Sequence, residues 1–236
     1  MILSRGCLIC NYRNALSISS TRLYTPMTDF LSELVIIAPP LLFALTIHEF
    51  AHGFIAYQLG DPTAKIAGRL TLNPLRHLDP LGTVAFFIFK FGWAKPVPVN
   101  SGYFHNPKQG MLWVALAGPA SNLGLAVISA ILAKTVWFLS DFLPYSNTSQ
   151  AILIPFQQML IASVWINLVL AICNFLPVPP LDGGRILAGL LPDRLATSFR
   201  QLERYGFIII LFLAFSGVLS KVILPIIKFA NNLLLS

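Results

Sequence analysis

What most limits the possible folds is the placement of charge. No Asp, Glu, Lys or Arg occurs from Phe142 to Leu181 or from Met111 to Ala133, and a further uncharged run, LVIIAPPLLFALTI, occupies residues 34–47. Runs this apolar fit the hydrocarbon layer of a bilayer, which a helix of about 20 apolar residues spans. Composition agrees: 56% of residues are hydrophobic and 11% are charged, against about 25% charged in an ordinary soluble domain. The chain therefore reads as an all-α polytopic membrane protein. Its 236 residues suffice for one membrane domain but not for a large soluble one in addition.

The net charge of +7 is not a nucleic-acid footprint, because the basic residues are scattered through the junctions between apolar runs, as topology-setting charges are. No nucleic-acid partner is expected. The three cysteines, Cys7, Cys10 and Cys173, give no disulfide framework. Cys7 and Cys10 have the spacing of half a zinc site but no second pair to complete it. Residues 1–28 carry Arg5, Arg13 and Arg22 and no acid, and are expected to be a basic lead-in, disordered or targeting. The membrane domain is then residues 29–236.

Four crossings are expected, over about residues 30–59, 111–133, 155–175 and from Tyr205 to about Leu219 or on past Lys221 toward Pro225. As one helix the first would be about 45 Å long, more than the ~30 Å hydrocarbon layer, so it must tilt or emerge. Pro39-Pro40 should kink this helix or end a preliminary turn before it. The run Thr83 to Ile88 is too short to cross, and its β-branched and aromatic content suits a membrane-associated strand or re-entrant insert. Lys65, Arg69 and Arg76 precede it and Lys90, Lys95 and Lys108 follow it, so the chain should enter and leave on one side. Cations are dense after spans one and three and absent between Asp141 and Asp182, which places those two junctions in the cytoplasm.

Within the first span lies His48-Glu49-Phe50-Ala51-His52, an HExxH motif. Positions i and i+4 of a helix share a face, so both histidines can point at one metal ion with Glu49 beside them. Ionisable groups in so apolar a stretch are costly unless they pair, line a wet cavity or bind something. Since HExxH sits toward the far end of span one, and Leu181-Asp182-Gly183-Gly184-Arg185 follows span three, both should reach one depth near the cytoplasmic surface. A catalytic zinc takes three protein ligands and keeps one open position. His48, His52 and Asp182 can supply the three, and Glu49 is placed to take a proton from the water and pass it to the leaving amine. Gly118-Pro119-Ala120-Ser121-Asn122 puts small residues and one amide in the second span. They serve either close helix packing or the site itself. His77 and His105 read as loop or interface histidines rather than ligands.

HEFAH (His48 to His52) and NFLPVPPLDGG (Asn174 to Gly184), with NPLRHLDPLG, GWAKPVPVN and GPASN between them, resemble the site-2 proteases, the M50 intramembrane zinc metalloproteases, and their small bacterial members in particular. The resemblance covers about residues 31–228. It implies one zinc ion per chain on His48, His52 and Asp182, Glu49 as general base, and Asn174 as a residue that helps hold the substrate or the oxyanion. It also implies a helical membrane core with a small membrane-associated sheet after the HExxH helix. The expected setting is a bacterial inner membrane with the active site toward the cytoplasm, acting on transmembrane protein substrates, with or without a membrane adaptor. Many members carry a PDZ or CBS module, and nothing here is long enough for either. The oligomeric state stays open.

Two other classes compete. A metal-ion transporter or binding protein would want polar residues through the depth of several helices, whereas here they gather near one side. An inactive protease-like scaffold would tolerate loss of Glu49, which is present.

Overall fold

The computed structural model describes residues 26–82, 94–140, 142 and 147–236. The lead-in up to residue 25 and the expected strand or re-entrant element at Thr83 to Ile88 lie outside the described residues. Helices account for nearly all regular structure: α1 (Pro26–Gln58), α2 (Thr63–Ile66), α3 (Pro107–Ser140), α4 (Asn147–Asn174), α5 (Asp182–Leu190), α6 (Asp193–Gln201), α7 (Gly206–Phe215) and α8 (Val218–Leu235), with short 3-10 turns between. Among the described residues the one β-pairing is an antiparallel bridge between Leu78 and Ala94. Lys95 N–H also donates to the His77 carbonyl (2.8 Å). The two ends of the undescribed insert are therefore side by side, as same-side entry and exit requires.

Four helices are long and apolar enough to cross a membrane, over Ser32–Gln58, Pro107–Ser140, Ala151–Asn174 and Val218–Leu235. Three are where hydropathy places them. The fourth is not: the expected crossing from Tyr205 to Leu219 is interrupted at Gly217, whose φ of 72° is left-handed backbone that a helix interior does not adopt. That leaves α7 with 10 residues, about 15 Å of rise and half the hydrocarbon thickness. The crossing passes to α8, and Lys221 and Lys228 lie on it rather than beyond it. Lys134 Nζ, in the last third of α3, donates to the Ser236 carbonyl (2.6 Å). The end of α8 is thus at the same face of the bundle as the end of α3, and the parity of four crossings is kept.

Helix α1 runs through Pro39 and Pro40, which remove two backbone donors without ending it. The bundle interior is built from Ala126 and Ala130 of α3, Ala162, Val164, Trp165 and Leu168 of α4, and Ile223 and Ile227 of α8, with Ile36 and Ile37 of α1 against them. In lipid there is no hydrophobic gain from bringing helices together, and small residues such as these alanines let backbones approach for dispersion and hydrogen bonding. A second cluster of Ala56, Phe104 and Val114, with Ile55, Val99 and Met111, joins the end of α1, the segment after the insert and the start of α3. Trp113 and Trp137 are exposed at opposite ends of α3, about 36 Å apart by helical rise, which matches two interfacial anchors.

Candidate metal centre

His48 and His52 lie one turn apart on α1, and their Nε2 atoms are 3.0 Å from each other. Asp182, the first residue of α5, brings its Oδ2 to 3.1 Å from His48 Nε2 and 3.3 Å from His52 Nε2. The helices meet this way because α5 folds back on the end of α4. A Cβ on Gly183 would lie 2.2 Å from the Leu176 carbonyl oxygen, and one on Gly184 would lie 2.8 Å from Pro179 N. Both glycines are in the first helical turn, and their use is the missing side chain. On the other side, Lys108 Nζ at the start of α3 donates to the Leu191 carbonyl (2.6 Å) and pairs with Asp193 (2.9 Å), holding the α5–α6 junction. Arg185 pairs with Glu203 at 3.6 Å, so Asp182 is left for the histidines.

Each imidazole is held from behind. His48 Nδ1–H donates to Asn122 Oδ1 (2.6 Å), and His52 Nδ1–H donates to the Val114 carbonyl (2.7 Å). With the proton on Nδ1 in both rings, each Nε2 carries a lone pair, the tautomer that binds metal. Asp182 Oδ2 is buried without a hydrogen-bond partner. Three acceptor atoms at this spacing repel unless a cation sits among them. Tetrahedral zinc with ligand distances of about 2.0–2.1 Å would put its donor atoms about 3.3 Å apart. The observed separations of 3.0, 3.1 and 3.3 Å fit that cradle. The two nitrogens and one carboxylate oxygen fit a single zinc with a position left open.

The cradle is kept clear by Gly118 of α3, where a Cβ would be 2.5 Å from His52 Nε2 and 2.6 Å from His48 Cε1. By helical rise Gly118 is about 7.5 Å inside the level of Trp113. The metal-binding atoms are thus within the length of the membrane-spanning helices and toward one end of the bundle, where the two motifs meet.

Glu49 stands outside the ligand cluster. Its Oε2 accepts from Val97 N–H (2.9 Å). Val97 lies between Pro96 and Pro98, which have no N–H to give. The strand-like strap carrying it is pinned along its length. Arg69 Nη2 donates to the Lys95 carbonyl (2.6 Å), and Asp61 Oδ2 accepts from Asn100 N–H (2.7 Å). Asp61 Oδ1 accepts from Thr63 N–H (2.9 Å) and from the Thr63 hydroxyl. Burial alone would raise the Asp61 carboxyl, but these hydrogen bonds outweigh it and hold Asp61 below its ordinary value.

The expected residues thus divide. His48, His52 and Asp182 converge, Glu49 is beside them on the same helix, and Asn174 ends α4 with its Nδ2 donating to its own helix at Leu170 O (2.9 Å). His77 is a buried loop residue whose Nε2 meets the Thr71 carbonyl (2.8 Å), and His105 is exposed. Sequence reasoning left Asn122 open between packing and site, and the structure puts it on His48. It missed the Val114 carbonyl and the Val97 amide, which are backbone groups with no residue signature. It also placed polar groups on one side only, whereas Asn167, Ser163 and Ser129 continue inward from Asn122.

A buried His–His–Asp cluster with an adjacent glutamate, carried by one membrane-length helix and by the short helix that follows another, fits a membrane zinc metalloprotease of the HExxH type. Comparison with known proteins makes the class specific. The description "Peptidase family M50" matches residues 36–217. YwhC of Bacillus subtilis (strain 168), a candidate zinc metalloprotease, is 41% identical over 198 residues, covering 83% of this chain and 87% of that protein. Rip2 of Mycolicibacterium smegmatis, described in the same terms, is 27% identical over 198 residues, covering 82% of this chain and 71% of its own length. Rip2 of Mycobacterium tuberculosis (strain H37Rv) is 30% identical over 185 residues, covering 73% of this chain and 64% of its own. No solved structure matches. The chain belongs to peptidase family M50, the site-2 protease family.

Proposed function

We propose that the protein is an intramembrane zinc metalloendopeptidase that hydrolyses peptide bonds in or near the transmembrane segments of membrane proteins. The observation that carries this reading is the convergence of His48 Nε2, His52 Nε2 and Asp182 Oδ2 at membrane depth, with Glu49 adjacent. In this reading the three side chains hold zinc. Bound there, zinc would supply Lewis acidity for the scissile carbonyl and for the attacking water. Glu49, anchored through Oε2 to Val97 N–H, uses Oε1 to take one proton from that water and deliver it to the amide nitrogen. The water oxygen bonds to the carbonyl carbon, the C–N bond breaks, and an acid and an amine are released. Asn174, at the end of α4, is assigned to holding the peptide or its oxyanion through the amide hydrogen not spent on Leu170.

The setting follows from charge. Lys65, Arg69, Arg76, Lys95, Arg194 and Arg204 lie in junctions between crossings, and Lys108 in the first turn of α3, at the end of the bundle that carries the metal centre. This charge distribution supports the reading that the centre faces the cytoplasm, in a bacterial inner membrane. A metal transporter is less well supported, because the polar groups continuing inward from the site are uncharged and hydrogen-bonded to one another.

The test is cleavage of a panel of single-span membrane peptides by detergent-purified protein, with wild type, Glu49→Gln and Asp182→Ala in parallel and bound metal quantified. Cleavage by wild type alone, with zinc kept in Glu49→Gln and reduced in Asp182→Ala, is the expected result. Wild type that holds no zinc in the absence of chelators, or Glu49→Gln that cleaves at the wild-type rate, would overturn the assignment.

A further inference from the structure

Behind His48 a chain of hydrogen bonds runs across two helices. Asn122 (α3), Asn167, Ser163 (both α4) and Ser129 (α3) are all buried in the bundle. Uncharged amides this deep in a membrane protein are costly unless every donor and acceptor is matched. Here the matching has a direction. Asn167 Nδ2 donates to the Ser163 carbonyl (2.8 Å), a backbone oxygen that can only accept. Ser163 Oγ lies on the same Nδ2 at 3.2 Å and meets Ser129 Oγ at 2.8 Å.

That fixes the Asn167 amide with Oδ1 turned toward α3, where it accepts from Asn122 Nδ2 (2.8 Å). The second hydrogen of Asn122 Nδ2 goes to the Ala44 carbonyl (3.3 Å), another obligate acceptor. Asn122 therefore has both hydrogens spent away from the metal centre and presents only Oδ1 to His48 Nδ1, at 2.6 Å. The opposite amide orientation would set Asn122 Oδ1 against Asn167 Oδ1 and the Ala44 carbonyl, acceptor against acceptor. It would also offer a donor to His48 Nδ1, moving the ring proton to Nε2 and cancelling the lone pair that faces Asp182.

We infer that Asn167 is a positioning residue for the metal centre: from α4, and without touching His48, it locks the Asn122 amide so that His48 keeps its proton on Nδ1 and its lone pair on Nε2. The inference rests on the reading of His48 as a zinc ligand. It assigns to one amide on a third helix the choice of imidazole tautomer on α1. Partners behind a metal-bound histidine are typically worth 10–100-fold in metal affinity, and a residue one step further back should fall at the low end of that range.

The experiment uses the full chain in detergent and measures zinc affinity by competition with a chromophoric chelator. Thermal unfolding in excess EDTA reports on the fold without metal. Four proteins are compared: wild type, Asn167→Leu, Asn122→Asp, and the double variant. A carboxylate at position 122 accepts the His48 proton in either orientation and has no hydrogen to give Asn167 Oδ1, so Asn167 cannot orient it. Asn167→Leu should therefore weaken zinc about 10-fold in the wild-type background and less than about twofold with Asp at 122, a non-additivity that a double-mutant cycle isolates. Should Leu prevent folding, Asn167→Ser, whose short hydroxyl cannot reach Asn122, takes its place in both backgrounds.

Equal losses in both backgrounds would mean that Asn167 acts only through helix packing, and would overturn the inference. So would unchanged affinity in Asn167→Leu with wild type holding zinc normally; the function proposed above would survive either result. Wild type that holds no zinc would instead remove the function and the inference together.

Discussion

Gly118 offers the sharpest test of the metal cradle, because one methyl group placed there should silence the centre without unfolding the helix. An added Cβ would be 2.5 Å from His52 Nε2 and 2.6 Å from both His48 Cε1 and His52 Cε1. Optimal carbon contacts begin at about 3.5 Å, so the shortfall is about 1 Å on two rings at once. Neither ring has slack. Each is tied at Nδ1, to Asn122 at 2.6 Å and to the Val114 carbonyl at 2.7 Å. Relief requires turning the imidazoles off these partners or parting α1 from α3. Disturbing the orientation of one ligand costs about 10–100-fold in metal affinity, so disturbing two should cost at least about 100-fold for Gly118→Ala. The helix itself gains, since Ala is favoured over Gly by about 1 kcal/mol in helix interiors. The clash is present without metal too, and overpacking costs about 1–3 kcal/mol, so the metal-free protein should unfold in EDTA at or a little below the wild-type temperature, while the zinc-dependent rise in Tm disappears.

Gly124, on the same helix, has nothing within 4 Å of its would-be Cβ, and Gly124→Ala should leave zinc binding unchanged. Chelator competition in detergent measures both. If Gly118→Ala holds zinc within about threefold of wild type, the cradle is looser than these distances state and the close approach of α3 is not what shapes it.

Other perturbations address the remaining parts of the site. Saturating zinc at about 100 times its Kd should add about 2.7 kcal/mol of stability; a zinc-dependent rise in Tm as large in Asp182→Ala as in wild type would remove Asp182 from the ligand set. Val97→Pro deletes the N–H that anchors Glu49 Oε2, a charge-assisted bond worth about 1.5–3 kcal/mol. It should lower kcat roughly 10–100-fold with zinc retained, and unchanged kcat would show that the strap does not orient the base. Asp61 has its carboxyl held below the ordinary value, so the stability it contributes is present at neutral pH and is lost as pH falls through its folded-state pKa. In EDTA, wild type should lose stability on acidification below about pH 4. Asp61→Asn should be less stable at neutral pH and flatter in that range, and parallel curves for the two proteins would contradict the assignment.

Much of this was legible in the chain alone. Two histidines four apart on one apolar helix share a face by geometry, and uncharged runs of membrane length declare themselves by composition, so HExxH, Asp182 and three of the four crossings were readable. Matching depth of the two motifs followed from counting crossings. The fourth crossing was misplaced because residues 205–219 and 218–235 are both apolar enough to span. What separates them is a single left-handed residue, Gly217, and hydropathy does not report backbone conformation.

What only the tertiary structure decided is how the ligands are held. The Val114 carbonyl on His52 and the Val97 amide on Glu49 are backbone groups that every residue but proline could offer, so no side-chain pattern marks them. The link from His48 through Asn122 to Asn167 joins three helices across sequence separations of 74 and 45 residues, and exists only once those helices pack. Local periodicity encodes which face a residue takes on its own helix. The pairing of donors with acceptors between helices is settled when the bundle closes and every buried polar group must find a partner.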